Sequence, residues 1–109
     1  MPAEEVRFMW LFVFFDLPTG TKAERHAAAK FRNFLKGDGY DMLQFSVYIR
    51  VCRGQAQVDK HAGRLTLNLP KQGSIRALSV TEQQYARMKT LVGTLKEKEK
   101  VASEQLVLL

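Results

Sequence analysis

Phe8-Met9-Trp10-Leu11-Phe12-Val13-Phe14-Phe15-Asp16-Leu17-Pro18-Thr19-Gly20 is the stretch around which the rest of the chain organises. A short apolar run rich in aromatics, closed by a turn-forming Asp-Leu-Pro-Thr-Gly, predicts a buried central strand followed by a turn. Side chains alternate between the two faces of a strand, so Phe8, Trp10, Phe12 and Phe14 share one face and Met9, Leu11, Val13 and Phe15 the other. Both faces therefore need cover.

Working outward, Thr21-Lys22-Ala23-Glu24 forms a capping box, in which the hydroxyl and the carboxylate satisfy backbone N–H groups left open at a helix start. Along the helix that follows, Ala27, Phe31, Phe34 and Leu35 fall on one side, and Lys22, Arg25, His26, Lys30, Arg32 and Lys36 on the other. Gly37 and Gly39 stop it. Tyr40 to Cys52 then alternates, with Leu43, Phe45, Val47, Ile49 and Val51 on one face, and suits either two short strands or one bent strand. After Gly54, the spacing of Val58, Ala62, Leu65 and Leu69 predicts a second helix, weakened by Gly63 and ended by Pro70 to Gly73. Ser74 to Val80 is a strand, and Thr81-Glu82-Gln83-Gln84 is a second capping box opening a short helix through Tyr85 and Met88.

The order β-α-β-β-α-β with an extra helix predicts an α+β, ferredoxin-like sheet with its helices on one face. Residues 1–92 form this domain. Residues 93–109 comprise a connector of alternating lysines and glutamates and an apolar terminal run, Gln105 to Leu109.

Composition narrows the function. The 109 residues are 46% hydrophobic and 26% charged, as in ordinary globular chains. Seventeen Lys and Arg against eleven Asp and Glu leave a net charge of +6, which suits a polyanionic partner, with nucleic acid the first candidate. Cys52 is the only cysteine, so an internal disulfide is excluded and a cytoplasmic location is expected. The run Phe8 to Phe15 is too short to span a bilayer and has no basic leader. No Walker-type glycine loop, HExxH, paired CxxC or G-x-S-x-G elbow is present. His26 and His61 suit solvated and structural roles, and Cys52 a buried strand position.

The aromatic face of the first strand represents about 600–1,000 Å² of surface, more than a monomer ordinarily exposes. A second copy laid against it is the simplest cover, and the terminal run suits either an exchanged strand on the partner's sheet edge or an edge strand of its own chain. Asp16 ends the central strand, a common location for α/β sites, and equally suits a turn cap. Two copies flanking a two-fold axis would face a pair of carboxylates into one cleft, where a divalent cation activates water for phosphodiester hydrolysis. Lys22, Arg25, Lys30, Arg50 and Arg53 are the candidate phosphate contacts, and no base-reading constellation accompanies them.

Several segments together resemble the small CRISPR-associated endoribonuclease family, the non-integrase subunit of the spacer-acquisition complex. They are MWLFVFFDLPT (Met9 to Thr19), ERHAAAKFRNFLKGDGY (Glu24 to Tyr40), QFSVYIR (Gln44 to Arg50), SVTEQQYARM (Ser79 to Met88) and LVLL (Leu106 to Leu109), in family order over nearly the whole chain. The Asp-Leu-Pro exit and the TEQQ segment are similar to members accompanying type II systems. The resemblance implies a homodimer with strand exchange by its C-terminal tail, Asp16 of both protomers holding Mg²⁺ or Mn²⁺, and a bridging role between integrase dimers around a duplex DNA fragment. Integration itself would belong to the partner. Some members cut RNA or DNA and others act as scaffolds. Lys22 and Arg25 match the basic positions after the first strand, and Ser46 and Tyr48 match the family's S-V-[FY] segment. Single-stranded RNA is a further candidate nucleic-acid partner; a stand-alone ribonuclease toxin of related fold, using the same Asp16 without an integrase, and a purely structural adaptor are the alternatives.

Overall fold

The computed structural model describes residues 7–93. The elements run β1 (Phe8–Asp16), α1 (Lys22–Gly37), β2 (Asp41–Gln44), β3 (Val47–Arg53), α2 (Gly54–Thr66), β4 (Ser74–Thr81) and α3 (Glu82–Ala86). The four strands form one antiparallel sheet in the order β2-β3-β1-β4, the ferredoxin-like arrangement. β1 is central, as its two apolar faces require.

Leu11, Val13 and Phe15 of β1 pack with Tyr48 and Cys52 of β3, Phe31 and Leu35 of α1, and Val58 and Leu65 of α2 into one core. α1 and α2 thus cover the same sheet face. Thr21 caps α1 as expected: its hydroxyl accepts from Glu24 N (3.1 Å), and Glu24 Oε1 accepts from Thr21 N (2.8 Å). Thr81 and Gln84 cap α3 in the same way.

The opposite face is only partly covered. α3 lays Tyr85 over Trp10, with ring centroids 4.1 Å apart, and Trp10 Nε1 donates to Glu82 Oε2 (2.8 Å). Phe8, Phe14, Val51 and Leu78 remain exposed there. The apolar termini of the chain, including the run Gln105 to Leu109, lie outside the described residues.

Three local expectations are refined. Tyr40 to Cys52 is two strands joined by a turn at Phe45 and Ser46, with a register irregularity between Met42 and Gln44. Ser46 adopts φ 65°, so the chain reverses without a glycine or proline, and Phe45 leaves the alternating face for the hairpin tip at 84% exposure. α2 stops at Thr66 instead of reaching Leu69, which leaves Leu67 and Leu69 exposed. Along α1 the buried positions are Ala28, Phe31 and Leu35, with Ala27 and Phe34 only half-buried.

Candidate functional site

Asp16 ends β1 on the incompletely covered face, directly opposite Ser74 of β4 and exposed to solvent. Three features fix its backbone. β1 is hydrogen-bonded on both sides, to β3 and to β4. Phe15 N also donates to Ser46 O (3.1 Å), which ties the β2–β3 turn to the end of β1. Gly73, at φ 100°, lets the chain entering β4 press against Asp16: a Cβ there would lie 2.7 Å from Asp16 O and 2.6 Å from Leu17 Cδ2. A hollow of about 290 Å³ opens beside the carboxylate, lined by Phe14, Phe15, Asp16, Ser46, Val47, Ser74 and Arg76.

The basic residues divide into three groups. Lys22 and Arg25 lie in the first turn of α1, next to the exit of β1, and Arg25 Nη1 donates to Thr19 O (3.1 Å) and Gly20 O (3.3 Å), bracing that loop. Lys30 borders a groove of about 770 Å³ between α1 and the segment after α2, together with His26, Leu67, Leu69 and Lys71. At 100° per residue Lys30 is rotated about 140° from Arg25, so the two project to different sides of the helix.

Arg50 and Arg53 lie toward the opposite end of the sheet, paired with Leu11 and Phe8. Eight residues of strand separate Phe8 from Asp16, about 26 Å at strand rise. Arg50 is moreover engaged within the fold, since its Nε donates to Asp38 O (2.8 Å) and its Nη1 to Val51 O (2.7 Å). The structure therefore brings Lys22 and Arg25 to the Asp16 end and does not bring Arg50 or Arg53 there.

A buried polar cluster on the helix side had no counterpart in the motif reading. Asp38, just past α1, meets His61 Nδ1 at 2.9 Å and Arg64 Nε at 2.7 Å, both from α2. An ionised carboxylate only accepts, so the imidazole donates from Nδ1. Asp38 thereby joins the end of α1 to α2 by its side chain and to β3 by its carbonyl. Beside it the Tyr40 hydroxyl is buried without a hydrogen-bond partner among the described residues. Burial first, then the charges of Asp38 and Cys52, push the phenol up to about 12. Burial likewise pushes the Cys52 thiol up, which keeps it protonated and inert. His61 is thus structural, and the cue for its partner was an aspartate between two glycines, Gly37 and Gly39.

No cluster of three or more His, Cys, Asp or Glu occurs among the described residues. Asp16 therefore offers one carboxylate per chain, a donor set that fits Mg²⁺, which binds through one or two carboxylates plus waters and substrate phosphate.

Residues 9–88 match the family described as CRISPR associated protein Cas2. The chain belongs to the Cas2 family. It is 52% identical to a protein of Acidovorax ebreus over 92% of this chain and 99% of the relative. It is 38% identical to one of Flavobacterium psychrophilum over 95% and 90%, and 43% identical to one of Campylobacter jejuni over 92% and 70%. Each of these relatives is named a CRISPR-associated endoribonuclease Cas2. The Cas2 match begins inside β1 and ends just beyond α3, so it covers the sheet, all three helices and the hollow at Asp16.

Proposed function

We propose that this Cas2-family chain is a homodimeric, nucleic-acid-binding adaptor of CRISPR spacer acquisition that bridges integrase subunits around a duplex DNA fragment. In this reading it also cleaves phosphodiester bonds, in RNA or DNA, with Mg²⁺ or Mn²⁺ held by Asp16 of both protomers. The reading rests chiefly on one observation: Asp16 emerges on the same sheet face that carries the exposed Phe8, Phe14, Val51 and Leu78. A second copy covering that apolar surface brings a second Asp16 onto the same face, which supplies the carboxylate that one chain lacks.

The relatives' endoribonuclease name favours RNA as a substrate of this chain. The chain's own residues take simple parts. Lys22 and Arg25 hold backbone phosphates near the exit of β1. Asp16, rigidly placed by Gly73 and by the Ser46 turn, is the metal ligand. When bound, the cation neutralises charge on the phosphate and lowers the pKa of its water. The proposed setting is the cytoplasm, and no described helix is long and apolar enough to cross a membrane.

The test is cleavage of duplex DNA and single-stranded RNA with Mg²⁺ or Mn²⁺ by wild type and Asp16→Ala, each verified as a dimer by sedimentation. Loss of cutting in a dimeric Asp16→Ala supports the nuclease. Equal cutting by both refutes the role of Asp16, and no cutting by either leaves the structural adaptor.

A further inference from the structure

Among the described residues, Arg76 is the one cation lining the hollow at Asp16. It is directly opposite Phe14 on β4, whereas Asp16 is opposite Ser74 two residues earlier. Arg76 and Asp16 are therefore diagonal neighbours on one sheet face, about 7–8 Å apart. Despite that proximity, neither side chain is in an ion pair or hydrogen bond with a described residue. A guanidinium and a carboxylate held apart across a hollow leave room between them for a group carrying negative charge toward the arginine. The hollow is also lined by Ser46 and Ser74, with Phe14 and its cross-strand partner Val47 as its apolar side chains. Ser46 is also the only non-glycine residue with positive φ among the described residues, and the turn it forms is bonded to Phe15. Strained backbone of this kind persists where the surroundings enforce it, often beside a site.

We propose that Arg76, with Ser46 and Ser74, forms a phosphate subsite next to Asp16 that takes a backbone phosphodiester of the bound nucleic acid. The planar guanidinium grips two phosphate oxygens in a fork, which a lysine at that place would not do. This deepens the Asp16 reading and rests on it for the identity of the ligand. It gives the hollow a substrate class, a phosphodiester, and separates the phosphate-holding group (Arg76) from the metal-holding group (Asp16). The competing use of Arg76 is an ion pair with an acidic residue of a second copy on the same face.

The experiment compares Asp16→Ala with Asp16→Ala/Arg76→Ala and Asp16→Ala/Arg76→Lys, so that binding is read without turnover. Affinity for labelled duplex DNA and single-stranded RNA is measured from 50 to 300 mM salt, with sedimentation at the same protein concentrations. Loss of the Arg76 contact from both protomers of the proposed dimer predicts binding weakened at least about tenfold and a log–log salt slope smaller by about 1.4–1.8, the dimer being unchanged. The lysine variant is expected to keep the slope and lose part of the affinity. Unchanged affinity and slope for Arg76→Ala overturn the subsite, and so does dissociation of the dimer, which would assign Arg76 to the interface. Cleavage by wild type and Arg76→Ala is followed in parallel. If wild type does not cut but Arg76→Ala still lowers affinity and slope, the subsite stands and the nuclease reading alone falls.

Discussion

Replacing Gly73 by alanine is the sharpest structural test of how Asp16 is held, because Gly54 provides an internal control. Both glycines have positive φ, 100° and 81°. Forcing an L side chain into that region costs about 1–2 kcal/mol at either site, and the gain from restricting the unfolded chain is common to both. Their surroundings differ. The added methyl at Gly54 meets nothing within 4 Å, whereas at Gly73 it falls 2.6 Å from Leu17 Cδ2, 2.7 Å from Asp16 O and 3.3 Å from Leu17 Cα. A side chain can swing away, but Asp16 O and Leu17 Cα are backbone, and Asp16 is held by its pairing with Ser74 of β4 and by the bond from the neighbouring Phe15 N to Ser46 O. Overpacking of this kind adds about 1–3 kcal/mol. Gly73→Ala is thus expected to destabilise by about 2–5 kcal/mol and Gly54→Ala by about 1–2 kcal/mol. Urea unfolding at one fixed protomer concentration reads the difference with any contribution from self-association common to both variants. Equal losses for the two variants, within about 0.5 kcal/mol, would refute the claim that β4 entry presses on the Asp16 backbone.

Tyr40→Phe removes a buried hydroxyl with no described partner and is expected to stabilise at pH 7 by up to about 1 kcal/mol in urea melts; a loss above 1 kcal/mol would reveal a partner for the phenol. Between pH 10 and 12 an unfolded chain has released the Tyr40 proton while the folded one, with its phenol near 12, retains it, so wild-type stability falls with rising pH across that window and the phenylalanine variant falls less steeply. Leu78→Glu puts a carboxylate opposite Phe12 at a position 54% exposed in the single chain, so it should leave monomer folding nearly intact and yield monomers in sedimentation. A persistent dimer would place the interface elsewhere.

The legible parts of this molecule are those set by neighbours in sequence. Each capping box joins residues three apart, so Thr21/Glu24 and Thr81/Gln84 mark helix starts without any tertiary contact. The alternation of β1 likewise separates the core-facing Leu11, Val13 and Phe15 from the face where Phe8 and Phe14 stay exposed. Asp16 was recognisable because it punctuates that alternation at the strand's end. The β2–β3 turn was not resolved by pattern, because the position that reverses the chain is a serine at φ 65° rather than a glycine. Apolar spacing that continues past Thr66 to Leu69 predicts a longer second helix than forms, and Leu67 and Leu69 stay exposed beyond its end.

What the sequence by itself determined is the element order, the caps, the central strand and the carboxylate at its end, since all of these depend on local spacing and on the period of two or 3.6 residues. Tertiary structure alone decided which distant residues meet. Asp38 and His61 are 23 residues apart and become hydrogen-bonded only when α1 and α2 pack side by side. Arg50 and Arg53 are as basic as Arg25, yet antiparallel pairing carries them to the far end of the sheet, and Arg50 is engaged by Asp38 O. Gly73 and Arg76 reach Asp16 because β4 pairs with β1 although Asp16 and its partner Ser74 are 58 positions apart in sequence (74 − 16 = 58). Register between strands is set by the packing of both sheet faces and by the loops that join them, and no local run of residues encodes it.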